Sequence, residues 1–244
     1  MPLRHSPLLL VALILTAAFA RGQAPGPELD RVAHQIIDRT NRFRQDQHRP
    51  AVTVNEQLSA TARDFAGWMA ATDLYGHEAD GRRPWDRAKA HGYDYCLVAE
   101  NIAYAWRSAG FTTDELTAEF VQGWEQSPGH RKNMLDPDVT ETGVGVARSA
   151  DTGLYYAVQL FGRPKSLRIE FRIADRAGAA VKYKVGDQAY DLRPRTIMTH
   201  EVCRPTDVTL LAADGSAAAT VRPASGARYA VNRDENGMLR LAKE

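Results

Sequence analysis

The feature that most constrains this chain is a change of hydrophobic period near its middle. Up to about residue 135, apolar residues recur three and four apart, the spacing of helices that bury one face. Beyond Gly143 they come in short blocks bounded by turn residues, as strands do. Leu29, Val32, Ile36, Ile37 and Phe43 form one stripe, with Arg31, Asp38, Arg39 and Arg42 on the other faces, which predicts a helix over 28–47 ended by Arg49-Pro50. Asn55 caps a second helix whose stripe is Leu58, Ala62, Phe65, Ala66 and Met69. Pro84 opens a short helix that closes at Gly92. Thr112 and Glu115 have capping-box spacing ahead of Leu116, Phe120 and Trp124.

The strand-like half starts with Gly143-Val144-Gly145-Val146-Ala147 and Leu154–Phe161, joined by an Ala150-Asp151-Thr152-Gly153 turn. Helices first and a hairpin later argue for α+β layers. Arg163-Pro164 reads as a boundary. After it, 167–173, 188–192, 207–211, 217–221 and 227–231 read as strands of a small β-sandwich. The expected organisation is therefore a domain over 28–163 and an all-β domain over 164–244.

Residues 1–20 read as a secretory signal peptide: Arg4 and His5, an apolar run from Leu8 to Ala18, and the small-residue site Ala18-Phe19-Ala20. A flexible leader, 21–27, follows, and no transmembrane segment is expected after cleavage. The expected location is secreted, periplasmic or extracellular. Formal net charge is +1 over 244 residues, so bulk charge does not point to nucleic acid. Residues 21–164 carry 16 Lys/Arg against 20 Asp/Glu, and 165–244 carry 14 against 10. Opposite signs suit either docking of the two parts, subject to screening, or a solvated charge distribution without mechanical meaning. Export allows a Cys96–Cys203 bridge; two buried thiols are the other reading, and sequence does not supply the Cα separation that decides.

Three polar segments carry the functional reading. Gly76-His77-Glu78 and Ala99-Glu100-Asn101-Ile102-Ala103 precede Trp124-Glu125-Gln126-Ser127-Pro128-Gly129-His130-Arg131-Lys132-Asn133-Met134-Leu135. In the last of these a Ser-Pro-Gly corner joins a helix end to a histidine. His130 serves either that corner or a cleft, and Glu100 either accepts from buried N–H groups or faces a ligand. Asn101 reads as a structural hydrogen-bonding residue.

These segments, with Gly143-Val144-Gly145-Val146 and Gln159-x-Phe161-Gly162, resemble the CAP superfamily (SCP; cysteine-rich secretory proteins, antigen 5 and pathogenesis-related 1), in its compact bacterial form, over about 30–162. The resemblance implies an α–β–α sandwich, secretion and a central cleft with two histidines and two glutamates. His77, His130 and Glu100 match three of them; Ser127 stands at the position of the fourth, and Glu125 lies about 200° around the helix from it. The implied cleft is His77, Glu100, Ser127 and His130.

His77, Glu100 and His130 form a set able to hold zinc or another divalent metal with one position left for water. There is no H-E-x-x-H and no G-x-S-x-G, so no catalytic residue is assigned. Tyr75, Tyr93, Tyr95, Tyr104 and Trp106 offer aromatic walls or ordinary packing. The expected function is non-catalytic recognition of a small ligand, lipid, peptide or envelope component. The alternative is a divalent-metal-dependent hydrolase using His77, Glu100 and His130.

Overall fold

The computed structural model describes residues 26–244. The expected signal peptide and leader residues 21–25 lie outside the described residues.

The first half folds as three layers. Its sheet has the order β1-β3-β4-β2, from β1 (Thr53–Val54), β2 (Tyr95–Ala105), β3 (Glu141–Arg148) and β4 (Tyr155–Pro164). β1 pairs with β3 in parallel; the other pairs are antiparallel. One face is covered by α1 (Leu29–Asp46) and α4 (Thr113–Gln126), through Val32, Ile36, Phe120 and Trp124 packed on Val144 and Phe161. The other is covered by α2 (Glu56–Thr72) and α3 (Pro84–Ala90), through Leu58, Phe65 and Met69 on Ile102, Val158 and Leu160. A short α5 (Pro128–Met134) follows α4 across the Ser127 corner.

The predicted caps form. Asn55 accepts from the Leu58 N–H at 3.1 Å. Thr112 and Glu115 close the capping box in both directions. The Gly143-x-Gly145 pattern has a steric cause: a Cβ at Gly143 would fall into the backbone of Leu58 and Ser59, and one at Gly145 into that of Ala62 and Arg63. Two glycines on one face of β3 thus let α2 lie directly on the sheet.

The second half is a β-sandwich of two four-stranded sheets. One, in the order β10-β9-β6-β7, comprises β6 (Val181–Val185), β7 (Gln188–Leu192), β9 (Val208–Leu211) and β10 (Ala217–Val221). The other, β12-β11-β5-β8, comprises β5 (Ile169–Asp175), β8 (Ile197–Val202), β11 (Arg228–Arg233) and β12 (Leu239–Lys243), with β11 and β5 parallel. Phe171, Ile173, Tyr183, Leu210, Tyr229 and Val231 fill the space between them. Five of the eight strands correspond to those expected from sequence; β6, β8 and β12 are additional. So is β2, where Glu100, Asn101 and Ile102 are buried in succession and therefore show no polar–apolar alternation.

The two halves are tied together. Cys96 and Cys203 form a disulfide, with Cα atoms 5.3 Å apart. Next to it Arg204 binds both oxygens of Asp136 (2.8 and 2.7 Å) and Asp138 Oδ2 (2.7 Å). Burial alone would raise the Asp136 carboxyl, but hydrogen bonds from Arg204 and the Asp138 N–H hold it below its ordinary value.

Candidate functional site at the sheet edge

β2 is an edge strand, and the predicted site residues gather along it. Successive side chains point to opposite layers. Glu100 points into the α2–α3 layer and Asn101 toward α5. The carbonyls on the free edge are occupied by side chains: Asn133 Nδ2 donates to Glu100 O at 3.1 Å, and Tyr75 OH (3.1 Å) and Trp124 Nε1 (3.2 Å) donate to Ile102 O. These donors satisfy the edge and at the same time fix the segments that carry the histidines.

Glu100 is the centre of the arrangement. Its side chain is 1% exposed, whereas that of His77 is 50% exposed. His77 Nδ1 lies 2.9 Å from Glu100 Oε1, and Arg87 Nη2 donates to Oε2 at 2.8 Å. Arg87 also donates to the His77 carbonyl (2.9 Å), the Arg82 carbonyl (2.7 Å) and Asp80 Oδ1 (2.8 Å), and its guanidinium lies 3.5 Å from the centroid of the Phe65 ring. A buried carboxylate requires such pairing, because an uncompensated charge there is costly. A carboxylate only accepts, so the contact with Glu100 requires the proton on His77 Nδ1 and leaves Nε2 free of Glu100.

His130 reaches the same edge from the other layer. Asn101 Nδ2 donates to its carbonyl at 3.2 Å, and Asn133 Nδ2 donates to Asn101 Oδ1 at 2.9 Å. Burial lowers the His130 imidazole from its ordinary value near 6.5, and the nearby His77 ring lowers it further. His77 and His130 thus approach the β2 edge from opposite layers: His77 through its ring on Glu100, and His130 through its carbonyl on Asn101, with its ring near enough to that of His77 to feel its charge. Ser127 is the hinge between α4 and α5, half-buried, and its side chain makes no cap bond. Glu125 lies elsewhere, beside Arg39 and Asp46 of α1, where burial raises its carboxyl.

Arg87 and Asp80 support this arrangement and carry no motif in the sequence; Asn133, within the Trp124–Leu135 segment, anchors it from α5. Arg87 had one available signal: a helix of seven residues with an arginine on its inward side requires a buried acid elsewhere, and Glu100 was already in view. Of the aromatic residues, Tyr93 is buried and donates to Glu141 at 2.6 Å, which is packing. Tyr75 and Tyr104 (58% exposed) stay at the surface, edge to face at 4.9 Å, with the Tyr75 hydroxyl on the Ile102 carbonyl, whereas Trp106 (61% exposed) lies past the end of β2, near Gly153.

Both oxygens of Glu100 are engaged, and among the described residues no three of His, Cys, Asp and Glu are placed to share one cation. As placed, the residues form a buried ion pair that orients an imidazole.

Comparison with known proteins agrees with this architecture. The profile of the cysteine-rich secretory protein family, CAP, matches residues 37–161, and the chain belongs to that family. It is 33% identical over 130 residues to the uncharacterized protein YkwD of Bacillus subtilis (strain 168), covering 53% of this chain and 46% of that one. It is 30% identical over 115 residues to the uncharacterized membrane protein YlbC of the same organism, covering 47% and 31%. The chain thus spans less than half the length of these curated relatives. Among solved structures it is similar to an extracellular protein containing an SCP domain from Bacillus anthracis str. Ames (28% identity, 55% of this chain, 41% of that one, TM-score 0.47). It is also similar to an outer surface protein from Borrelia burgdorferi (18% identity, 54% of this chain, 92% of that one, TM-score 0.48). No helix among the described residues is long and apolar enough to cross a membrane.

Proposed function

We propose that the chain is an exported recognition module, whose β2 edge holds a small polar or amphipathic ligand with His77, His130 and Ser127 and does not turn it over. The observation that carries this reading is the closure of Glu100. A general base needs a carboxylate that can reach a substrate proton. Glu100 is buried, and its two oxygens are held by His77 and Arg87. It acts as a fixed counter-charge that sets the His77 ring. What remains for a ligand is His77 Nε2, the His130 ring and the exposed faces of Tyr75 and Tyr104. Such a mix of a few convergent polar groups and aromatic surface suits binding. Export rests on residues 1–20 and is tested by protease protection of the full chain in cells and by the N-terminus of the mature protein. Binding is tested by organic extraction and mass spectrometry of protein purified from its own compartment. A co-purifying ligand absent from His77→Ala protein supports the reading; a clean extract with failed reconstitution contradicts it.

A second reading, the divalent-metal-dependent hydrolase using His77, Glu100 and His130, has one observation in its favour. A carboxylate on Nδ1 is how proteins orient a ligating histidine. Zinc titration followed by calorimetry separates the two readings. Equal response of wild type and His130→Ala removes the metal; a stoichiometric site lost in His130→Ala favours it.

A further inference from the structure

The β-sandwich contains a hollow that the edge site does not use. It has a volume of about 550 Å³ and lies at one end of the sandwich, where the turn after β9 and the β11–β12 hairpin approach the start of β6. Elsewhere the sheets are held apart by Phe171, Tyr183 and Tyr229. At this end the contacting residues include Ala212, Ala213 and Ala218, so the gap between the sheets is not filled. Its apolar walls come from Val181, Leu211 and Leu239, and Met238, 51% exposed, stands at its mouth.

The charge of the lining is one-sided. Lys182, Arg233 and Arg240 contribute, and no Asp or Glu does. Arg240 is paired with Asp234 at 2.9 Å. Arg233 donates to the Gly237 carbonyl at 2.7 Å, and among the described residues no carboxylate pairs with Arg233 or Lys182. Asp191 stands opposite Lys182 in the β6–β7 register but does not line the hollow. An apolar slot with cations at its mouth selects a molecule with an apolar body and an anionic end. The volume falls within the range of roughly 300–1,000 Å³ typical of small-molecule sites.

We infer that the β-sandwich binds a monomeric fatty acid, its acyl chain in the hollow and its carboxylate on Arg233. The inference is independent of the edge site. The test uses the full chain and dodecanoate below its micellar concentration, followed by calorimetry. Saturable one-to-one binding is expected, with dodecanol about tenfold weaker because it lacks the charge. Ala218→Trp, which fills the slot, is expected to abolish binding. Arg233→Gln changes an exposed side chain and is expected to weaken binding about tenfold with the fold intact by circular dichroism. His77→Ala is expected to bind as wild type does. Absence of saturable binding, equal binding by wild type and Arg233→Gln, or adsorption only to anionic phospholipid vesicles would overturn the inference. Loss in His77→Ala instead would move the ligand to the β2 edge and equally overturn it.

Discussion

The two halves of the molecule bury polar groups in opposite ways. In the three-layer half, Arg44, Arg87, Glu100, Asn101, Thr142 and Gln159 are all buried. In the sandwich the buried polar residues are Asp175 and His200. Buried polar groups contribute little net stability and fix geometry where they are fully paired. Their concentration in this half, with Arg87, Glu100 and Asn101 at β2, marks the part of the chain built to hold side chains in set positions. The sandwich has an apolar core of aromatic and branched residues, typical of a domain whose stability comes from burial.

Removing one partner in each half breaks the comparison most sharply. Arg87→Ala leaves Glu100 buried without its cation and is expected to destabilise by about 3–5 kcal/mol. Chemical denaturation checks this, and Arg87→Ala with Glu100→Leu should recover much of the loss, because the pair would then be removed together. Loss of the Cys96–Cys203 bridge comes next. It spans 107 residues, and its removal is expected to cost about 2–4 kcal/mol, read from melting of the Cys96→Ser, Cys203→Ser protein against wild type.

The matching change in the sandwich should be smaller. His200 is buried with Nε2 2.6 Å from the Tyr183 hydroxyl, which also lies 3.3 Å from the Met198 sulfur. With that second partner present and Phe171 stacked alongside, His200→Phe is expected to cost about 1 kcal/mol. A loss equal to that of Arg87→Ala would contradict the contrast between the halves.

The smallest effect is in pH. Burial lowers both His130 and His200 from an ordinary value near 6.5. The unfolded chain then binds more protons than the folded one below that value, so stability is complete above about pH 6.5 and declines as pH falls through the folded values. His200→Phe should remove its share of the decline and leave that of His130, as read from denaturation midpoints between neutral and mildly acid pH.

Much of this contrast was legible in the sequence. The stripes of α1, α2 and α4, the Asn55 and Thr112 caps and the Pro84 helix start are local signals, and local signals survive into the fold. The site motifs were legible as residues: His77 and Glu100 are in contact, and His130 lies against the same edge. What sequence did not reveal is tertiary. The period of β2 is erased because the polar Glu100 and Asn101 are buried along with Ile102. Arg87 becomes functional only because α3 turns it toward Glu100, and the Cys96–Cys203 pairing depends on how the sandwich docks. β6 is different: Val181, Tyr183 and Val185 alternate with Lys182 and Lys184, a pattern visible in the sequence but absent from the strands expected there.

His77 is held by the buried Glu100 and His130 approaches the same edge from the opposite layer, and the proposed binding site stands or falls with the nearness of the two rings. Histidine titration by NMR tests this directly, in wild type and His77→Gln. The expected result is a His130 midpoint below 6.5 in wild type that moves upward when the His77 ring is removed, with His77 in wild type carrying its proton on Nδ1. A His130 midpoint indifferent to His77, or a His77 ring protonated on Nε2 at neutral pH, would contradict the shared site.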